Sequence, residues 1–145
     1  MLNYFRLEAL SDKPHVNENN TNTGWHIPKG TMKFDRTAFD VGKKMNITSG
    51  VYSVPKDGVY LFGIDGHKCS GNARAQIIVY HNGKEIKSVD HSDENPQSTQ
   101  ITSFWTLDMK TGDTIYLTNN QENSLYTLGN NPQTYSFSFI GFYLS

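Results

Sequence analysis

The sequence predicts an all-β single domain spanning residues 1–145, built as a sandwich or barrel, and three observations carry that prediction. Apolar and β-branched runs recur roughly every 8–12 residues, the spacing such folds require. No window sustains the 3.6-residue apolar period of an amphipathic helix. Asn, Gly and Pro gather between the runs rather than within them, as turn chemistry demands.

Taken in order, Phe5 to Leu10 alternates, with Phe5, Leu7 and Ala9 on one face. Ser11 to Thr23 is polar and Asn-rich, and reads as a long loop. Gly24 to Pro28 reads as a short edge strand that Pro28 ends. Gly30 to Asp35 follows, with Met32 and Phe34 inward, then Thr37 to Val41 and a Gly42-Lys43-Lys44 turn. The centre of the core is placed at Gly50 to Ile64. There Val51 to Val54 and Val59 to Ile64 flank the turn Pro55-Lys56-Asp57-Gly58, in which Pro presets φ and Gly admits a positive one. The second of these strands is apolar on both faces, so both faces need a cover.

Ala73 to His81 is the next strand, and Asn82-Gly83 is the strongest hairpin signal in the chain. Lys84 to Val89 returns along it, with Ile86 among charged neighbours as on an exposed strand. Asp90 to Gln100 is a polar loop. In Ile101 to Met109 the residues Ile101, Ser103, Trp105, Leu107 and Met109 share a face. After the Lys110–Asp113 turn come Thr114 to Leu117, a second long loop from Asn119 to Asn131, and a closing strand from Tyr135 to Leu144. That strand carries Tyr135, Phe137, Phe139, Gly141 and Tyr143 on one face and Ile140, Phe142 and Leu144 on the other.

Composition excludes several classes. A chain of 145 residues buries roughly 68–70% of its unfolded surface and needs no staples. Its 13 basic and 14 acidic residues leave a net charge of -1, which gives no field for nucleic acid or an anionic membrane. One cysteine excludes an intrachain disulfide. Apolar runs such as Ile77–Tyr80 fall far short of the ~20 residues of a membrane span. The first residues do not read as a secretory leader, because Arg6 and Glu8 interrupt the apolar core one would need.

Phe39-Asp40, Met45-Asn46, Gly50-Val51-Tyr52, Pro55 and Gly58-Val59-Tyr60-Leu61-Phe62 together resemble the signature of the C1q globular domain family, in order and nearly in spacing. Phe5, Phe34-Asp35, Asn82-Gly83, Leu107 with Gly112-Asp113, and Phe139-Ile140-Gly141-Phe142 extend the resemblance over nearly the whole chain. Met45 stands where the family usually has Tyr or Phe, Asp40 where it has Asn, and Ser49 where it has Thr. No Gly-X-Y repeat occurs in the sequence. The resemblance implies a ten-stranded jelly-roll β-sandwich of the C1q and tumour-necrosis-factor type, assembled as a homotrimer. It implies a secreted recognition or signalling module and not an enzyme.

The residues also argue for assembly on their own. Tyr60 and Phe62 share a face of the central strand, and Tyr135, Phe137, Phe139 and Tyr143 share one in the last. One sandwich covers only one face of each sheet, so two strands apolar on both faces leave a surplus that a three-fold contact would cover. These six residues, or Leu61 and Ile64 if the facing is reversed, are expected at or beside the contact.

Among polar candidates, Asp90, Asp93 and Glu94 place three carboxylates in six residues, the oxygen-rich chemistry that calcium takes. Calcium is the one cofactor the chain suggests, against the simpler reading of a solvated acidic loop. Trp25, His26 and Tyr126 lie in loop-rich segments where aromatic rings among amides suit a glycan or protein ligand; packing against the sandwich edge is the simpler account. Asn19 and Asn46 begin N-glycosylation sequons. His67 and Cys69 share a strand face and offer a Cys–His nucleophile pair or a two-ligand metal site, against the simpler reading of a partly buried strand-end pair; two ligands without a third make a weak zinc site. The sequence points to a secreted trimer that binds multivalently through the loops Ser11–Thr23, Asp90–Gln100 and Asn119–Asn131. The alternatives are a structural trimerising knob in a matrix or adhesive, and a ligand for a cell receptor of the tumour-necrosis-factor type.

Overall fold

The structure, a computed structural model, describes residues 4–9, 13–16, 22–40, 45–46, 48–68, 74–91, 99–121, 124–128 and 137–145. At residues 8, 13–16, 22–25, 35–40, 99 and 126–128 it describes the backbone alone.

Fourteen strands and no helix occur among these residues. They are β1 (Tyr4–Ala9), β2 (Lys13–Val16), β3 (Asn22–His26), β4 (Gly30–Thr31), β5 (Phe34–Asp40), β6 (Met45–Asn46) and β7 (Val51–Ser53). They continue as β8 (Gly58–Lys68), β9 (Ala75–His81), β10 (Lys84–His91), β11 (Thr99–Met109), β12 (Thr114–Asn119), β13 (Leu125–Leu128) and β14 (Ser138–Tyr143). Every pairing is antiparallel.

Ten strands make the jelly roll. One sheet runs β11-β8-β14-β1-β5 and the other β10-β9-β12-β7-β6. Alternation fixes what each strand gives to the space between them. Phe5, Leu7 and Ala9 of β1, Tyr60, Phe62 and Ile64 of β8, and Ile77 and Val79 of β9 are all buried. The predicted phases of β1, β11 and β14 hold: Ile101 and Met109 are buried while Thr102, Phe104 and Thr106 are exposed, and Phe139 is buried while Phe142 is exposed.

Aromatic rings fill the centre. Phe62 lies 6.1 Å from both Trp105 and Phe139, and Phe5 lies 4.4 Å from Tyr52 and 5.0 Å from Phe139. Backbone glycines make room for them. A Cβ on Gly66 would fall 1.9 Å from the Phe137 ring, and one on Gly141 2.2 Å from Phe5. Gly50 is required twice over: its φ is +79°, and a Cβ would meet the Met32 carbonyl oxygen at 2.1 Å.

The remaining strands correct the sequence reading. Two expected loops, 11–23 and 119–131, contain β2, the first two residues of β3, and β13; the rest of β3 falls in the expected Gly24–Pro28 strand. The expected strand from Gly30 to Asp35 is divided between β4 and β5. The cause is the length of β8. β14 pairs with it only from Tyr60 to Asp65, which leaves the edge at His67 and Lys68 to β13; β3 and then β2 add to β13. Backbone pairing builds this extension from short strands of four or five residues with mixed polar and apolar side chains, too short to show an alternation.

At one end, the β9–β10 hairpin is clasped to the β11–β12 turn. Asn82 and Gly83 have φ of 50° and 76°, the two positive values a type I′ turn needs. Asn82 Nδ2 donates to Asp113 Oδ1 at 2.9 Å, and the Thr114 N–H donates to Asn82 Oδ1 at 2.8 Å. Asp113 Oδ2 also accepts from the Lys110 N–H at 2.9 Å and meets His81 Nε2 at 2.9 Å. The Lys110 N–H, then Asn82 and His81, hold this carboxyl down to about 2.

A carboxyl depressed on folding stabilises above its unfolded value of 3.8 and loses that contribution as the pH falls toward 2. Asp113→Asn is therefore expected to cost about 1.5 kcal/mol at neutral pH and to flatten the fall in Tm between pH 4 and pH 2. Melting curves of both proteins across that range check it, and parallel curves would show that Asp113 is not the group responsible.

Candidate functional site

The outer face of the β11-β8-β14-β1 sheet is where apolar surface is left over. Inward on β8 point Tyr60, Phe62 and Ile64; outward point Leu61, Asp65 and His67. Tyr60, Phe62, Phe137 and Phe139, expected at an assembly contact, are 1%, 0%, 0% and 0% exposed in the single chain. Their rings are already enclosed, so what remains for a second copy is the opposite phase of the same strands. Tyr143 is half-buried, its ring 5.3 Å from Tyr60 and under the Lys56 ammonium at 3.6 Å. Tyr135 lies outside the described residues.

That opposite phase is apolar. Phe104 is 52% exposed and Phe142 41%, with half-buried Leu61 and Ile140 beside them. Register sets them in two rows. Phe104 pairs with Gly63, Gly63 with Ile140 and Ile140 with Arg6; Thr106 pairs with Leu61, Leu61 with Phe142 and Phe142 with Tyr4. A Cβ on Gly63 would lie 2.3 Å from the Phe104 ring, so the ring lies down over the glycine. The Tyr4 and Phe142 rings stack at 5.7 Å.

A polar row borders the patch. Gln100 Nε2 and Thr102 Oγ1 donate to Asp65 Oδ1 at 3.0 and 3.2 Å. His67 stands two residues farther along β8; burial holds it below the ordinary imidazole range, against the opposing pull of Asp65. Cys69 lies outside the described residues.

The three ligand candidates fall on paired strands rather than in loops. Tyr126 of β13 is opposite His26 of β3 on one side and His67 of β8 on the other, and Trp25 is opposite Thr127. Pairing alone brings these positions to one corner of the sheet.

Of the acidic candidates, Asp90 is next to last in β10 and takes the Arg74 guanidinium in a fork, Nε to Oδ1 at 3.1 Å and Nη2 to Oδ2. Arg74 holds that carboxyl below the usual range. Asp93, Glu94 and Asn19 lie outside the described residues. Among the described residues no three His, Cys, Asp or Glu side chains converge as a metal site. Asn46 is exposed, and its Oδ1 accepts the N–H groups of Thr48 and Ser49 at 3.0 and 3.1 Å.

Two features escape the sequence reading. Phe104 is an aromatic on the otherwise polar phase of β11, a signal present in the alternation. A cleft of about 400 Å³ lined by Ile27, Pro28, Lys29, Thr31, Met32 and Lys33 has no such signal, because tertiary pairing shapes it.

Comparison with known proteins follows the same architecture. The sequence model of the C1q domain matches residues 16–144. No curated protein sequence matches the chain. The globular domain of zebrafish complement 1qA superposes with a TM-score of 0.68 at 13% identity, covering 99% of this chain and 98% of that one. Murine APRIL at pH 5.0 gives 0.66 at 12% identity, covering 99% and 100%. The Eiger TNF of S. frugiperda gives 0.60 at 14% identity, covering 99% and 93%. At these identities the likeness is one of fold.

Proposed function

The chain belongs to the C1q domain family, and from that premise we propose that it is a secreted, homotrimeric recognition module that binds glycan or protein ligands multivalently. Domains of this family form trimers and bind ligands. The observation that carries the reading is the outer face of β11, β8 and β14. Phe104 and Phe142 are exposed beside half-buried Leu61 and Ile140 on neighbouring strands, and a grouped apolar surface of this kind favours a contact. Closed three-fold packing covers it once per chain.

Assembly supplies the binding mechanism. Three copies of a weak site on a rigid scaffold raise one another's effective concentration, so avidity exceeds single-site affinity with no new contact. The β3–β13–β8 corner with Trp25, His26 and Tyr126 is the proposed ligand region, and the segment from Asp90 to Glu94 is the proposed calcium site. No helix among the described residues is long and apolar enough to cross a membrane, and the role proposed is non-enzymatic.

A glycan array probed with and without calcium tests the ligand class. The expected result is binding to a restricted set of glycans, weakened by a chelator. No glycan binding in either condition would leave a protein receptor as the ligand. Calcium is further expected to raise Tm and a chelator to lower it; a melt unchanged by both would remove the calcium site.

A further inference from the structure

We infer that Asn46 is an N-glycosylation site, its oligosaccharide joined through Nδ2 at the open edge of the β10-β9-β12-β7-β6 sheet. The inference rests on the secreted reading proposed above, because the sugar donor and the transferring enzyme act in the secretory lumen.

Asn46-Ile47-Thr48 is a sequon: an amide to be modified, a middle residue other than proline, and a hydroxyl two positions on. The fold uses only part of each end. Asn46 Oδ1 accepts the N–H groups of Thr48 and Ser49 at 3.0 and 3.1 Å, and the Asn46 carbonyl accepts the Gly50 N–H at 2.7 Å. A side-chain amide is planar, so an oxygen turned to those N–H groups sends Nδ2 away from them. Asn46 and Thr48 are both exposed. Neither Asn46 Nδ2 nor the Thr48 hydroxyl has a hydrogen-bond partner among the described residues. An aspartate would accept the same two N–H groups at least as well, so the turn alone gives no reason for an amide. The two groups that the turn leaves over are the two that the modification requires.

The position suits a bulky group. β6 is Met45–Asn46 alone; it ends the order of its sheet and pairs only with β7 among the described strands. An open strand edge is a template for another chain, and a large hydrophilic group blocks it. Phe104 and Phe142 lie on the other sheet, so a glycan at Asn46 and the proposed assembly contact use different surfaces. In the transfer, Nδ2 attacks C1 of the first sugar of a lipid-diphosphate-linked oligosaccharide. The N–C1 bond forms as the bond from C1 to the diphosphate oxygen breaks. The lipid diphosphate leaves with that electron pair, and one amide proton passes to a base of the enzyme. Oδ1 keeps its two bonds.

The full chain, expressed in a eukaryotic cell behind a cleavable secretory leader, reads the site. Asn19→Gln in the same chain leaves Asn46 to begin the one remaining sequon. The expected result is a single gel-mobility step that a peptide-N-glycosidase removes, with aspartate then found at position 46 by peptide mass. Thr48→Ala keeps Asn46 and the position 48 N–H, and should abolish the step while the Tm stays within a few degrees of that of the deglycosylated protein. Asn46 left unmodified in leader-cleaved chains would overturn the site, as would a step that survives Thr48→Ala. Retention of modified chains inside the cell would overturn the secretion reading and leave the site standing.

Discussion

Phe62→Ala is expected to remove about 3–5 kcal/mol of stability, the range for truncating a buried aromatic. Phe62 is 0% exposed and stands in the middle of the ring cluster, 6.0 Å from Tyr60, 6.1 Å from Trp105 and Phe139, and 6.5 Å from Phe5. These neighbours come from β8, β11, β14 and β1, paired strands whose backbones are tied to one another, so the site collapses poorly and the cavity persists. Offset and tilted ring pairs add to the loss beyond area alone. Against a typical total of about 5–15 kcal/mol, the variant keeps only part of its margin. Chemical denaturation should show a lower midpoint at an unchanged slope. A loss below about 1 kcal/mol would mean that the cluster is not the core.

Phe104→Asp is expected to leave a folded monomer. Phe104 lies on the outer phase of β11, with its ring over Gly63, so the single chain loses one surface contact and no core packing. In an assembly the same substitution buries a carboxylate without a partner, which costs several kcal/mol. Association should weaken at least a hundredfold, with a Tm that no longer depends on protein concentration. Sedimentation of the variant beside the native protein checks this, and a variant that still assembles would place the contact elsewhere. The two substitutions separate the two phases of one sheet: the inner one acts on folding, the outer one on association.

Much of this was legible in the sequence, and the limits were physical. The Gly50–Ile64 stretch, the Asn82-Gly83 hairpin and the alternation of β1, β11 and β14 could be read because each strand has one apolar phase or a turn with defined chemistry. β8 has two apolar phases, so its alternation could not say which faced inward. Trp105 and Phe139 enclose Phe62, and the outward phase is marked by Gly63, the small residue on which Phe104 rests. Of the aromatics named as a contact, Tyr60, Phe62, Phe137 and Phe139 are therefore held in the core, and Leu61, the alternative named with them, is on the outside; Ile64 is not.

The added edge strands were hidden for another reason. β2, β3 and β13 exist because β14 leaves the end of β8 unpaired, a fact of register between residues far apart in sequence. The cleft at Lys29 and Lys33 depends on Asn119, whose partners are about ninety residues away. No local pattern records such a contact. The same pairing that concealed the corner also gathers Trp25, His26 and Tyr126, three positions that sequence chemistry had singled out separately.

The central claim is that the outer apolar face is covered by two further copies of the chain. Light scattering coupled to size exclusion at micromolar concentration measures this directly. The account predicts a single species of three times the 16.4 kDa chain mass. A species of one chain mass at that concentration would contradict it.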